Sequence, residues 1–453
     1  MFSLPFPIAR VTFLECVRQP VYFVIVALCA VLMVITTAAT GFTMGYTESG
    51  DVSGDDKLLV DLGLATVFAL SVLLAGFIAT AALSKEIENK TVLTIVSKPV
   101  PRPVLIIGKW LGVTGAMLVA TASMLLMMLI AVQHGVLMNA VDKVHLPVVT
   151  FGLGSVVLAL LTGAWGSFFY GWSFPQVATL ALAPLLALAF LGVVLFKRDF
   201  TIQEWHAGFK PQVFTAAACL LLSIPVLTSI AVAASARLGQ VMTIVVCFGV
   251  FMLGLLSAGI FGARAFTNQP IAQVAVARPF DNNKRFETLA NPGDMYIVVA
   301  DSGFATTPKV GDPLYYSASP NGVDRAVPPF DPPARALATS DEALRPGTPP
   351  ALVITAVKDR DITIRHIGGT ALPVQRPPRT GDYLFLTPTK ANPWAVAAWG
   401  VVPNLQFFWL VDAVNQNQPV PTSHLALMAL YALSQITVFL SVAVLLFQRR
   451  DVG

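Results

Sequence analysis

Residues Lys85 to Gly112, KEIENKTVLTIVSKPVPRPVLIIGKWLG, decide how the chain is read. The stretch sets Lys85, Lys90, Lys98, Arg102 and Lys109 against only Glu86 and Glu88, and it lies between two long apolar segments. Loops of this kind stay on the cytoplasmic face, where Lys and Arg accumulate. The fold is therefore expected to be polytopic and helical, with this loop fixing its orientation.

Composition agrees. Of 453 residues, 55% are hydrophobic and 12% charged, about half the charge of an average soluble domain. Apolar runs of about 20 residues are long enough to cross a bilayer as helix. Working outward from the basic loop, the spans before it are Val21–Gly41 and Leu58–Leu83. Between them Glu48, Asp51, Asp55 and Asp56 make an acidic loop with one lysine, Lys57. An acidic loop followed by a basic one places the N-terminus inside, 46–57 outside and 85–109 inside. Residues 1–20 carry apolar Ile8, Val11, Leu14 and Val17 at helical spacing, which predicts an interfacial helix buried along that stripe.

After the loop, Val104–Val132 is a third span, with Lys109 near its cytoplasmic end, where a lysine snorkels. Val148–Tyr170 and Gln176–Phe196 form a hairpin of spans, with a partly re-entrant course as the alternative. Lys197, Arg198 and Lys210 fall in the loop that follows, which the count puts outside against the positive-inside tendency. Val213–Ala236 and Gln240–Gly262 turn tightly at Arg237-Leu238-Gly239. The last span is His424–Phe447, followed by Arg449 and Arg450, so both termini are expected in the cytoplasm and eight spans fit.

Composition shifts at Arg264. Residues 264–393 are rich in Pro, Gly, Asp and Arg and contain short β-prone runs: Met295–Ala300, Leu314–Ser317, Leu352–Val357, Ile362–Ile364 and Tyr383–Thr387. Gly293-Asp294, Gly311-Asp312 and Gly381-Asp382 stand near run starts, as turn residues do. This predicts an extracytoplasmic, mainly β module, with 326–350 as a long loop inside it. Residues 394–421, with Trp394, Trp399, Phe407, Phe408 and Trp409, are expected to be interfacial or re-entrant.

No catalytic chemistry is expected. Gly108-Lys109 lacks the flanking residues of a P-loop, and neither HExxH nor GxSxG occurs. The five histidines (134, 145, 206, 366, 424) have no metal-ligand spacing, so no metal site is expected. Cys16, Cys29, Cys219 and Cys247 lie in or beside apolar segments and suit packing roles. A net charge of +4 gives nucleic-acid binding no support. Asp61, Lys109 and Arg237 fall near span ends, which disfavours an ion-coupled carrier, since such proteins keep charge at membrane depth. The energy is expected to come from a partner.

The order Glu-Ile-Glu-Asn-Lys-Thr, an apolar stretch, Ser97-Lys98-Pro99-Val100, Arg102 and then Gly108-Lys109 resembles the first cytoplasmic loop of ABC-2 type permeases, the membrane subunits of ATP-binding-cassette exporters. Residues 11–20, 403–409 and 447–453 agree with it. The resemblance, taken over 1–132, 213–262 and 401–453, implies a six-helix core, to which 148–196 would add an extra hairpin and 264–393 a large insertion. It implies a dimer with a second permease copy or paralogue, set in the lipid bilayer of the bacterial inner membrane. It implies a coupling helix at 84–96 on which a separate ATPase subunit docks, by Lys85, Glu86, Ile87, Lys90, Thr91, Val92 and Ile95, with Lys98, Pro99 and Arg102 as its exit. ATP and Mg would sit in that partner, and this chain would bind no cofactor. The alternative is a non-transporting anchor presenting 264–393 to an outside partner.

Overall fold

The computed structural model describes residues 5–40, 54–84, 101–136, 144–204, 211–280, 289, 291–323, 325–331, 340–372, 374, 376–411 and 422–448. Two compact units emerge, one made of Met1–Leu255 with Leu405–Gly453 and the other of Leu256–Asn404.

The first unit is helical: α1 (Pro5–Val17), α2 (Pro20–Thr40), α3 (Gly54–Ala79), α4 (Arg102–His134), α5 (Gly154–Tyr170), α6 (Phe174–Leu195), α7 (Pro211–Ser235), α8 (Gln240–Ser257), and, after the second unit, α10 (Thr422–Gln448). Among the described residues, eight helices are long and apolar enough to cross a membrane, and α1 precedes them. The 148–170 segment is one of these, 23 residues long. π-helical turns extend α3 through Thr80–Ser84 and open α5 at Val148–Leu153. Such widened turns occur where a helix yields to a local demand.

The core of this unit gathers about α4 and α7, which bury residues around most of their circumference. Helices buried all round are hydrophobic all round, which explains why no amphipathic pattern marks them. Inside the bundle, polar contacts include two hydroxyl pairs, Ser71 with Thr121 at 3.1 Å and Thr114 with Thr228 at 2.7 Å. All four cysteines are buried and unbridged.

One sequence expectation is corrected at α1. The residues it buries are Thr12, Cys16 and Val17, with Ile8 packed against the core, whereas Val11 is 56% exposed. The stripe in use follows the i, i+4 spacing because the partner helix offers glycines there, as shown below, leaving Val11 on the outer face. A second concerns Lys109, which does not snorkel: it is 4% exposed and lies under α1.

The second unit, Leu256–Asn404, starts eight residues before the expected 264–393 module and ends eleven past it, so it is somewhat larger. Its strands are β1 (Phe266–Thr267), β2 (Ala272–Pro279), β3 (Met295–Ala300), β4 (Tyr315–Ser317), β5 (Ala351–Lys358), β6 (Asp361–Ile367), β7 (Tyr383–Phe385) and β8 (Lys390–Ala391). Each of the five expected runs contains a strand, β3 to β7, while the two-residue β1 and β8 were not foreseen, nor was β2, in which Ala, Gln and Arg dilute the β-prone valines. Six strands pair in the order β4-β7-β2-β3-β6-β5, all antiparallel. The two ends of this sheet meet through residues 311–314: Pro313 bridges Val353 and the Leu314 N–H donates to the Leu352 carbonyl at 2.9 Å. The sheet thereby closes on itself around Val274, Val298, Leu314, Tyr316, Leu352, Ile364 and Leu384.

Each Gly-Asp pair makes the same turn. Gly293, Gly311 and Gly381 have φ of 91°, 90° and 92°, a region that favours glycine. The aspartate carboxylate then accepts the N–H three residues back, from Asn291 at 2.8 Å, Lys309 at 2.9 Å and Arg379 at 2.8 Å. Each glycine N–H donates across to a neighbouring strand, at His366, Ile354 and Val274. The stretch expected as a long loop contains a short 3-10 helix, Asp341–Leu344, and buries Ala326, Val327 and Ala343. Helix α9 (Pro393–Val401) buries no residue, and Trp394 is 85% exposed. Residues 405–411 differ: Leu405, Phe408 and Val411 are buried in the helical core, and Trp409 stacks on Phe68.

Candidate functional site: the α1-bearing end of the helical unit

The expected docking residues Lys85, Glu86, Ile87, Lys90, Thr91, Val92, Ile95, Lys98 and Pro99 lie outside the described residues. What the structure does show is how the chain leaves that stretch. Pro101 caps α4 with extended backbone, and Pro103 follows Arg102 in the first turn, where a missing N–H costs nothing. The Arg102 guanidinium donates to the carbonyl of Gln448 at the end of α10, at 3.0 Å. This ties the exit of the loop to the end of the last span.

Two turns further on, α4 receives α1. A Cβ at Gly108 would sit 2.9 Å from Ile8, and one at Gly112 would sit 2.6 Å from the Ala9 carbonyl and 2.6 Å from Thr12. Only glycine admits such an approach of two backbones, and the four-residue spacing puts both on one helix face. Between them Lys109 reaches Glu15 at 3.9 Å. A buried ammonium needs such a counter-charge. Trp110 faces the other way, its indole N–H donating to the Pro225 carbonyl of α7 at 3.4 Å. One turn deeper, Thr114 meets Thr228, and the Tyr22 hydroxyl of α2 donates to the Ala116 carbonyl at 2.7 Å.

The first four turns of α4 therefore touch α1, α2, α7 and α10. A displacement applied at residue 101 would reach all four through bonded or close-packed contacts. On the near side of the loop, the π-helical turn Thr80–Ser84 ends α3, with Thr80 donating to the Gly76 and Phe77 carbonyls.

With this geometry in view, the sequence comparison is informative. Residues 6–196 match the family model described as ABC-2 family transporter protein. These residues are an ABC-2 type permease region. The matched span runs from α1 through α6, so the α5–α6 hairpin belongs to the family region and is not an addition to it, as the sequence reading had supposed. No curated protein and no solved structure matches the chain. The chain thus carries a region similar to ABC-2 family transporter proteins within a multi-pass helical unit, and a β-rich unit before its last long apolar helix.

Sequence reasoning singled out Arg102, which is bonded here to the Gln448 carbonyl. It missed the seat of α1, although Gly108-x-x-x-Gly112 on an apolar helix is the spacing that permits close helix approach. It also missed the Glu15–Lys109 pair, because no local signal joins residues so far apart in the chain.

Proposed function

We propose that this chain is the membrane-spanning subunit of an exporter, driven by a separate ATPase that docks on residues 84–96 from the cytoplasm. The single observation carrying this reading is the connection of α4: the helix that begins where the loop ends holds α1, α2, α7 and α10. Nucleotide and Mg belong to the partner, and its hydrolysis cycle pushes on the loop and so on α4. Both termini lie in the cytoplasm, the β-rich unit lies on the extracytoplasmic side of a bacterial inner membrane, and a second permease completes the dimer.

Co-purification through a tag on this chain should bring down a P-loop ATPase whose turnover responds to the permease. Glu86→Ala with Lys90→Ala should weaken that association and lower coupled turnover. If both survive the double substitution unchanged, the docking assignment is refuted. A cysteine at Asn321 should react with an impermeant reagent from outside only, and labelling from the cytoplasm alone would overturn the orientation.

A further inference from the structure

A cavity of about 810 Å³ opens beside α1, between Arg18 and the start of α6. Its wall changes character along one helix face. Ser173 and Gln176 line it at the α5–α6 turn, and Val177, Leu180 and Ala181 line it deeper along α6. These positions follow the i, i+3, i+4, i+7 spacing of a single face. From Ser173 to Ala181 the face descends about 12 Å at 1.5 Å per residue. The polar end is marked by aromatics, with Trp172 stacked on Tyr170 at 5.0 Å and both exposed, as side chains at a membrane–water boundary are.

The polar end offers donors. The Arg18 Nε donates to Gln176 Oε1 at 2.8 Å, and Ser173 Oγ donates to the same oxygen at 3.0 Å. That oxygen is thereby used twice, so the Gln176 amide presents its NH₂. The Nε bond fixes the guanidinium plane, and among the described residues no hydrogen bond engages its two terminal nitrogens. Among the described residues, the cavity wall carries no carboxylate. The nearest acid along α1, Glu15, is turned to Lys109.

A fixed guanidinium fork with an amide donor at the boundary, above an apolar groove, matches a phosphate ester joined to an acyl chain. We propose that this cavity binds an anionic phospholipid of the leaflet in which α1 lies, with the headgroup phosphate on Arg18 and Gln176 and one chain along Val177 and Leu180. The shared chemistry is a phosphate anion, and the apolar wall assigns it to a lipid and not to a soluble phosphate. Basic pockets between membrane helices hold such headgroups. The proposal needs only the membrane location and not the ATPase partner.

The test titrates the purified full-length chain in detergent with dioleoylphosphatidylglycerol and counts retained lipid by native mass spectrometry. Dioleoylphosphatidylcholine and inorganic phosphate are run alongside. The wild type should retain the anionic lipid at lower concentration than the zwitterionic one, and Arg18→Gln should weaken it about tenfold or more, the loss expected of charge-assisted hydrogen bonds. Leu180→Trp, which fills the apolar wall and leaves the charge in place, should weaken it as well. Arg237→Gln, at the α7–α8 turn and outside the cavity, should change nothing. Equal retention by the wild type, Arg18→Gln and Leu180→Trp overturns the proposal. So does displacement of the lipid by inorganic phosphate at comparable concentration, which would make the site one for a soluble anion.

Discussion

Replacing Gly112 by alanine tests whether the α1–α4 contact is as close as described. The added Cβ would meet the Ala9 carbonyl and the Thr12 Cβ at 2.6 Å, and the Phe13 N–H at 3.0 Å. Two of these three atoms are backbone, so no rotamer change relieves them. To restore ordinary contact at 3.4 Å, α1 must move out by about 0.8 Å over its middle turns. That shift lengthens the Glu15–Lys109 pair, already 3.9 Å apart, and opens the packing of Ile8 and Cys16. Overpacking of this kind costs about 1–3 kcal/mol. If the cost falls on the docking of α1, the helix should open roughly 5- to 150-fold more often at ~1.4 kcal/mol per tenfold. Hydrogen exchange of peptides covering 5–17, read by mass spectrometry on the chain in nanodiscs, measures this directly. Gly115→Ala is the internal control, because its Cβ meets only the Phe13 ring edge at 3.4 Å. Equal exchange of α1 in the wild type, Gly112→Ala and Gly115→Ala would refute the close approach.

Other outcomes follow from the same contacts. Arg102→Ala removes the bond to the Gln448 carbonyl and should raise exchange at the end of α10 while leaving α1 protected; unchanged exchange over 440–448 would count against the tie. Thr114→Val leaves the Thr228 hydroxyl without its α4 partner and should cost about 0.6–2 kcal/mol, measurable as a lower unfolding midpoint in detergent, with Thr114→Ser largely restoring it. In the second unit, Arg376 pairs with Asp382 through two bonds of 2.5 and 2.6 Å, and the carboxylate is nearly buried. Arg376→Ala should destabilise that unit by about 3–5 kcal/mol, seen as protease cleavage within 266–391 at lower temperature. His366 is fully buried, and burial holds its pKa below the usual histidine value against the opposing pull of the Asn291 backbone and Asp294. The unfolded chain then takes the proton more readily, so stability is complete above about pH 6.5 and declines as pH falls through the lowered folded value. His366→Leu should abolish that decline, and a persistent slope in its unfolding midpoint between pH 7 and 5 would assign the effect elsewhere.

The helical unit was legible because membrane burial is written in unbroken apolar runs, and span ends such as His134 and Tyr170 fall within a few residues of where composition places them. The β runs were legible where Ile and Val dominate, as in β3, β5 and β6, and the Gly-Asp pairs announced turns because glycine alone sits easily at φ near 90°. The seat of α1 was not legible as a place. Composition shows that Gly108 and Gly112 are small but not which helix comes to them, since Ile8 and Thr12 are about a hundred residues away. The stripe through Val11 failed for a related reason: in a bilayer an apolar side chain is equally at home facing lipid, so hydrophobicity no longer tells inside from outside. The sealing of the β sheet through 311–314 was invisible because Pro313, which cannot complete a ladder, stands in the pairing segment.

The neck of the second unit has a thermodynamic meaning. Its first and last strands pair with each other, Phe266 opposite Ala391 and Thr267 opposite Lys390, and the Asn392 N–H donates to the Ala265 carbonyl at 2.8 Å. Held open and unstructured, an insertion of this length would tax the helical bundle by roughly 4 kcal/mol of loop-closure entropy. By joining its own ends, the folded unit pays that entropy from its own stability, and the helices meet it as a short tether. On the bundle's side, the Gln406 amide donates to the Leu255 carbonyl, so the gap to be spanned is already closed. A folded cargo of almost any size could hang from such a pair of neighbouring strands without loosening the helices that carry it.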